Sequence, residues 1–566
     1  MVEERVPKPG TSEIKQFEKV DDIPKRDITQ QQLLDSGDDP EGWLLYGNNY
    51  ERHHHTTADI ITPENVSDLS IEWEIDNLPR AGSAAGFQGS SLVVPGDPPI
   101  LYQVNGPEQT RAINARTGDI LWFHMYHPKS PVAFEDPPAN RGLAVYGDTL
   151  FKATLDYGVL ALNRYNANEQ WYYNGAYEYR NEKAEGPPSM AMHDELQAWE
   201  KNRGEASNYP LVVYKDTLFK GSMGGEYGVH GWAEGVTTDG ERDWHQGLTP
   251  PDQWVGDAWK HGGSTVWQAP ALDPETGTVV AGTSNPGPWF GTVRPGFNPY
   301  TAGKVGLDWE TGEFQWNYQE SPHDWWDYDS PSPAAIFEAE VDGETRKLAS
   351  WPGKTAWVYT VDLETGELVQ RSEEFSEHYN TWNLPEQSFG RSDWILPNLI
   401  GGTDPQPSSY DPQRNLLMLK ATNVPMKLKW QYIQYEVGEE YEGMTDISAD
   451  EMQRPKIEGW DQPAGNITAM DPVTGEIKWQ DWLNKSPWGG VMTTTTGLTF
   501  AGTASGLFIA YDSETGERLW TNKLSAGLDG NPISWVDPKV NKQYVYIQGG
   551  GDGQNSIAAY SLEGGS

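Results

Sequence analysis

The sequence predicts an all-β chain closed into an eight-bladed β-propeller, and three observations carry that prediction. The first is a repeat. AINARTGDILW (112–122), ALNRYNANEQW (161–171), GVTTDGERDW (235–244), GLDWETGEFQW (306–316), TVDLETGELVQ (360–370), AMDPVTGEIKW (469–479) and AYDSETGERLW (510–520) share one template. Each reads as a strand, an Asp- or Asn-led turn that usually has glycine at its left-handed position, and a second strand ending in Trp in all but one copy. The copies begin about 40 to 110 residues apart, the spacing of propeller blades with insertions. The second observation is a pair of incomplete ends. LSIEW (69–73) has a closing strand and its Trp without partners, while after Trp520 three strand-like runs (532–535, 543–548 and 556–562) lack a closing Trp. Joined, the N- and C-terminal strands make an eighth four-stranded blade, which seals the ring and leaves no open edge. The third is composition: 566 residues include 60 Gly, 41 Pro, 26 Trp and 27 Tyr, and turn formers and aromatics at this density favour β architecture.

Taken in order, residues 1–40 read as a polar arm over the main body, with one short helix at 29–34 for which Thr29 is the expected N-cap. Residues 41–566 read as a single propeller domain that carries the catalytic site. His53-His54-His55 is a weak metal signal, because neighbouring strand residues face opposite sides; solvated or stacking histidines are the expectation. The repeated Trp is expected to wedge between neighbouring sheets, burying on the order of 200 Å² each. One copy closes with Gln370 instead. The long interval from there to Trp479 holds a hairpin around Tyr410-Asp411-Pro412 and a charged insertion at about 427–460.

Charge and composition exclude several functions. A net charge of -42, from 83 acidic and 41 basic residues, argues against nucleic acid or an anionic membrane as partner. Without cysteine there is no disulfide, thiolate metal site, thiol catalysis or haem-attaching C-x-x-C-H. No apolar run reaches the roughly 18 residues needed to span a bilayer. MVEERVPKPG lacks the apolar core of a secretory signal, so the expected address is the periplasm or cell exterior after removal of a leader, with the cytoplasm as the alternative.

One stretch stands out chemically. Pro322-His323-Asp324-Trp325-Trp326-Asp327-Tyr328-Asp329 sets three carboxylates and an imidazole among aromatic rings. Carboxylates beside indoles are costly to bury unless a hard cation offsets them. Asp327 and Asp329, one residue apart, point the same way in extended backbone and can share one ion. His323 is expected as a hydrogen-bonding neighbour, and Trp325 and Trp326 either line a mouth or pack between blades.

The A-x-D-x-x-T-G-x-x-x-W repeat resembles that of the pyrroloquinoline quinone (PQQ) dependent alcohol dehydrogenases, the methanol and ethanol dehydrogenase family. So do GSMGGEYGVHG (221–231), GGSTVWQAPALDPETG (262–277), GTSNPGPW (282–289), PHDWWDYD (322–329), GKTAWVYTVDLETG (353–366) and WGGVMTTTTGLTFAGT (488–503). The likeness runs from about Trp43 to the C-terminus. It implies that Glu226 and Asn285 bind a metal ion together with Asp327, which also matches the catalytic base. Asp329 falls where lanthanide-dependent members carry an extra carboxylate. Trp267 matches the indole that stacks under the quinone, Gly224 and Gly225 let backbone approach its other face, and Arg141 and Lys354 match cations on its oxygens and carboxylates. Gln88, Ser207 and Trp488 fall at further cofactor-contact positions. The donor chemistry agrees with these roles: three carboxylates and an amide oxygen make an all-oxygen site for a large hard ion, and the third carboxylate favours a lanthanide over Ca²⁺.

Departures accompany the matches. Glu135 and Asp136 stand where the family has an adjacent-cysteine disulfide, Gln88 replaces a usual glutamate, and Asp404-Pro405 replace an Asn-Trp pair. The resemblance implies oxidation of a primary alcohol or aldehyde with PQQ and a lanthanide or calcium ion, electrons then passing to a separate cytochrome c or quinone. A homodimer is among the states allowed. Alternatives from other classes are a non-catalytic propeller scaffold and a sugar or polyol dehydrogenase on the same fold.

Overall fold

The structure is a computed structural model that describes residues 10–76, 78, 87–106, 108–128, 139–174, 206–384, 392–436, 438–446, 463–551 and 554–563. Among the described residues eight blade sheets succeed one another, six of four strands and two of five, antiparallel except where His55–Thr56 joins Val491–Thr494 in parallel. Blade 1 runs from Leu92–Val94 to Ile120–His127, blade 2 from Ala144–Tyr146 to Glu169–Asn174, and blade 3 from Val212–Tyr214 to Arg242–Gly247. Blade 4 runs from Ala271–Asp273 to Phe314–Gln319 and blade 5 from Ala335–Val341 to Leu368–Arg371. Blade 6 runs from Ser409–Asp411 to Ile477–Leu483 and blade 7 from Val491–Thr494 to Arg518–Lys523. Blade 8 takes three strands from the C-terminal end, and Leu69–Asp76 pairs with Gln554–Leu562 as its fourth, which closes the ring as the two incomplete ends predict.

The repeat explains how blades join. In the turn 308–312, Asp308 Oδ1 accepts from the backbone N–H of Glu310 and Thr311 at 3.0 and 2.9 Å, and Gly312 takes φ +72°. That side chain satisfies turn donors that no ladder can reach, and glycine adopts the left-handed turn without strain. The closing Trp then docks on the next blade's turn. Trp73 Nε1 donates to Ala115 O, Trp122 to Arg164 O, Trp171 to Thr238 O, Trp244 to Trp309 O and Trp316 to Leu363 O, at 2.8–3.1 Å. Trp479 donates to Ser513 O and Trp520 to Leu69 O, at 2.9 and 3.1 Å. Gln370 keeps the pattern without an indole, its Nε2 donating to Pro472 O at 3.1 Å.

A second device lies on the axis. Residues 40–56 thread past the first strand of one blade after another. Pro40 O accepts from Val536 N, Trp43 and Val93 exchange backbone bonds, and Tyr50 Oη donates to Val213 O. Carbonyls of Tyr50, Glu51, His53 and His54 accept from the N–H of Leu272, Ile336, Tyr410 and Thr493. Blades 8, 1, 3, 4, 5, 6 and 7 thus attach to one segment. Blade 2 is reached from the preceding stretch, where Ile28 and Gly147 form a bridge.

The histidine triplet belongs to this axle, and solvation is not its state: His54 and His55 are buried. The three rings have separate partners, since His53 meets Tyr410, His54 stands edge-on to Tyr46, and His55 Nδ1 bonds Thr493 Oγ1. Ahead of the axle, Thr29 caps the helix Gln30–Leu34 through a reciprocal bond with Gln32, and Thr11–Gln16 adds an outer strand to blade 1. In blade 6 a small hairpin, Leu428–Trp430 with Met444–Asp446, is inserted between Leu416–Thr422 and Gly465–Met470. Part of the predicted insertion, residues 447–460, falls outside the described residues, as do Glu135 and Asp136.

Candidate active site and metal centre

The predicted site residues come from connections between strands or between blades. Glu226 lies between the second and third strands of blade 3, Asn285 in the same connection of blade 4, and Lys354 in that of blade 5. Arg141, Ser207, Trp267, Asp327, Asp329 and Trp488 come from links between successive blades. The Glu226 turn begins at Gly224, whose φ of +107° only glycine adopts without strain, and Gly225 packs where a Cβ would lie 3.0 Å from Ser284 Oγ.

Within 322–329 the three carboxylates separate into two kinds. Asp324 is a clamp: it accepts from Ser321 Oγ at 2.7 Å and Tyr328 N at 3.1 Å, and its carbonyl holds the buried Arg294. Asp327 has φ +62°, a left-handed conformation that is costly for a residue with a Cβ. His323 Nδ1 bonds Asn298 Oδ1 at 3.1 Å, and Trp325 and Trp326 pack in an apolar cluster with Trp430 and Met444.

Asp327 and Asp329 share Lys354. Its Nζ lies 3.1 Å from Asp327 Oδ2, 2.5 Å from Asp329 Oδ1 and 4.0 Å from Asp404 Oδ2. The other Asp329 oxygen accepts from Trp267 Nε1 at 2.7 Å, which fixes the indole plane. Over that indole lies the Arg141 guanidinium, 4.9 Å from the ring centre, and it also bonds Gln88 and Asn208. Trp488 faces Lys420 Nζ at 5.5 Å, and Lys420 in turn donates to Asp404 O.

The Asn285 amide joins Glu226 and Asp327. One end lies 3.1 Å from Glu226 Oε1 and 3.1 Å from Asp327 Oδ1, the other 2.8 Å from Trp289 Nε1. With its oxygen inward, three oxygens converge with no proton between them, an arrangement a cation relieves. With its nitrogen inward, the amide donates to both carboxylates and accepts from the Trp289 indole, which satisfies every partner in the ion-free pocket. Among the described residues no group of three His, Cys, Asp or Glu side chains is spaced to hold an ion alone. The amide and oxygens from a bound ligand must complete the set.

Burial dominates the titration of this cluster. It pushes the Asp327 carboxyl well above its ordinary range; Lys354 opposes this, and Asp329 and Glu226 add to it. Asp329 rises to about 6, again through burial first, with Lys354 opposing. Such a pocket accepts positive charge, and an ion beside the carboxylates reverses the push. The residues also fit a flat polyanion, with an indole face, two buried cations and a buried Ser207 Oγ without a hydrogen-bond partner, while the buried Asp404 carboxylate opposes it.

Sequence reading did not assign Lys420, Asp404 or Glu442 to the site. Asp404 appeared only as a departure from a motif. Glu442, on the inserted hairpin, is pushed up to about 8 by burial and then by Glu226 and Glu440. Its signal was the acidic run 436–442 within an insertion, which looks like solvent-facing charge until the hairpin folds over the site.

The chain is similar to known proteins over most of its length. The family model for the β-propeller domain of PQQ glucose/ethanol/alcohol dehydrogenases matches residues 43–376 and 376–545. Methanol dehydrogenase (cytochrome c) subunit 1 of Paracoccus denitrificans is 30% identical, over 92% of this chain and 84% of that one. The lanthanide-dependent methanol dehydrogenase of Methylacidiphilum fumariolicum is 28% identical, over 93% and 87%. Among solved structures, a europium-containing methanol dehydrogenase has the same fold, with a TM-score of 0.79, 24% identity, and coverage of 94% of this chain and 100% of that one.

Proposed function

Because the chain belongs to the PQQ-dependent alcohol dehydrogenase family, we propose that it oxidises a primary alcohol to the aldehyde at the pocket of Glu226, Asn285, Asp327 and Asp329. The observation that carries this reading is the shared approach of Asn285 to Glu226 and Asp327, at 3.1 Å each. When bound, PQQ supplies the two-electron acceptor and the metal ion supplies Lewis acidity beside it. Glu226 and Asn285 would hold the ion, and Asp329, whose oxygens meet Lys354 and the Trp267 indole, would join them by releasing the lysine. Trp267, with its plane fixed by Asp329, would carry the quinone, and Arg141, Lys354, Gln88, Ser207 and Trp488 would border it, with Gly224 and Gly225 leaving room.

Asp327 takes the hydroxyl proton on Oδ1, the oxygen not engaged by Lys354, as hydride leaves the substrate carbon. Its strained φ sets that oxygen towards Asn285 and Glu226. Lys354 keeps the two carboxylates compatible at short range, since like charges this close would otherwise hold protons. A trivalent lanthanide suits the three carboxylates better than Ca²⁺, because the third charge is then matched.

Reduced PQQ needs an outlet, and the sequence has no cysteine for a covalently attached haem. A separate one-electron carrier such as a cytochrome c serves, and the charge of -42 favours a basic one at low salt. Among the described residues no helix is long and apolar enough to cross a membrane. The deciding experiment loads metal-free protein with PQQ plus La³⁺ or Ca²⁺ and follows dye reduction by a panel of alcohols and aldoses. Turnover of primary alcohols with La³⁺ exceeding that with Ca²⁺ supports the reading; no saturable change in quinone absorbance would return the chain to a scaffold.

A further inference from the structure

The hairpin inserted in blade 6 touches the candidate ion site from outside. Met426, Leu428, Trp430 and Met444 anchor it in the cluster with Trp289, Trp325 and Trp326. Its backbone then reaches two ligand-bearing loops. Tyr441 N donates to Glu226 O at 2.5 Å, and Glu442 O accepts from Phe290 N, five residues beyond Asn285, at 3.1 Å.

Aromatic contacts press on the same loop. Tyr435 stacks on His261 with ring centres 3.6 Å apart and 24° between planes, and His261 Nδ1 bonds Gly228 O at 3.1 Å. Gly228, two residues past Glu226 at φ +66°, lies against both tyrosines: a Cβ there would stand 2.9 Å from the Tyr441 ring and 3.1 Å from the Tyr435 ring.

We propose that this hairpin is a cap whose docking, through Tyr435 and Tyr441, positions Glu226 for the cation, so that cap closure and cation binding form one coupled equilibrium. The proposal rests on the reading of Glu226 and Asn285 as cation ligands. Docking holds the backbone beside both ligand loops, through Glu226 O and Phe290 N, so a docked cap tightens cation binding and, by reciprocity, a bound cation holds the cap down. Tyr435 and Tyr441 are positioning residues, since neither ring has to meet the ion or substrate.

The test uses the full metal-free chain with saturating PQQ and Tb³⁺ as probe, read by tryptophan-sensitised emission, together with amide hydrogen exchange over 428–436 and 438–446. Tb³⁺ should slow exchange in those stretches at least about tenfold in the unaltered protein. Tyr435→Ala should weaken Tb³⁺ about tenfold without changing the emission at saturation, a coupling in the usual allosteric range. Tb³⁺ that binds while hairpin exchange stays the same overturns the cap, as does a folded Tyr435→Ala protein that binds Tb³⁺ as tightly as the unaltered chain. Absence of any Tb³⁺ binding overturns the cation reading itself and the cap with it. If Tyr435→Ala fails to fold, the exchange of the unaltered protein decides alone.

Discussion

Asp327 and Asp329 divide one task between two geometries. Asp327, at φ +62°, turns one oxygen to Lys354 and the other to Asn285. Asp329 spends one oxygen on the same lysine and the other on the Trp267 indole. Asp327→Asn should therefore lower kcat by about a thousandfold or more, the scale of a lost general base, while PQQ absorbance still titrates. Asp329→Asn keeps an acceptor for the indole but removes one charge. It should cut La³⁺-supported turnover at least about tenfold and leave Ca²⁺-supported turnover less affected; equal losses with both ions would remove Asp329 from the ion site. The eight-residue acidic-aromatic stretch was legible because both carboxylates and their spacing lie in one run of sequence. The Lys354 network was not, because Lys420 comes from the neighbouring blade and Asp404 from the link between the two, and nothing in the sequence shows that these side chains meet.

Each letter of the repeat has a separate physical task in the blade. In the turn 362–366, Asp362 Oδ1 accepts from Glu364 N and Thr365 N, both at 3.1 Å, and Gly366 at φ +69° forms the platform for Trp316. A Cβ on Gly366 would lie 2.7 Å from the indole, so Gly366→Ala meets both a left-handed backbone and a clash. Trp316→Ala removes the packing and the bond to Leu363 O; it should cost about 3 to 5 kcal/mol, seen as a lower Tm and denaturant midpoint. Gln370 shows which part of the pattern is required at its joint, since it retains the N–H to carbonyl contact without the ring. The eight blades were therefore readable from local turn chemistry. The inserted hairpin was readable only as charge, because its apolar anchors, Met426, Leu428, Trp430 and Met444, follow no repeat.

At the scale of the molecule the buried histidines of the axle make stability depend on pH. Burial lowers His53 to about 4 and His55 to about 3, and drives His54, whose ring nitrogens find no partner, well below its ordinary value. A histidine whose folded pKa is depressed binds protons more readily unfolded. Its stabilising contribution is complete above about pH 6.5 and is lost as pH falls towards 4. Tm of the metal-free protein should fall steadily from pH 7 to 4.5, and His54→Phe should flatten that slope; parallel melting curves for the two proteins would exclude His54 as a source. The closed ring was foreseen, but the axle was not, because residues 40–56 carry no repeat and their partners are backbone atoms of seven blades.

That axle gives the ring an order of dependence. Any one blade can be loosened at its outer edge and still be held by its neighbours, but cutting the thread between Pro40 and Thr56 releases seven spokes together. A polypeptide starting at residue 57 keeps every tryptophan joint and turn, yet it should melt in several steps where the intact chain melts in one. A proline or deletion near Tyr50 acts on blades 3 and 4 together, because Val213 and Leu272 both bond that residue.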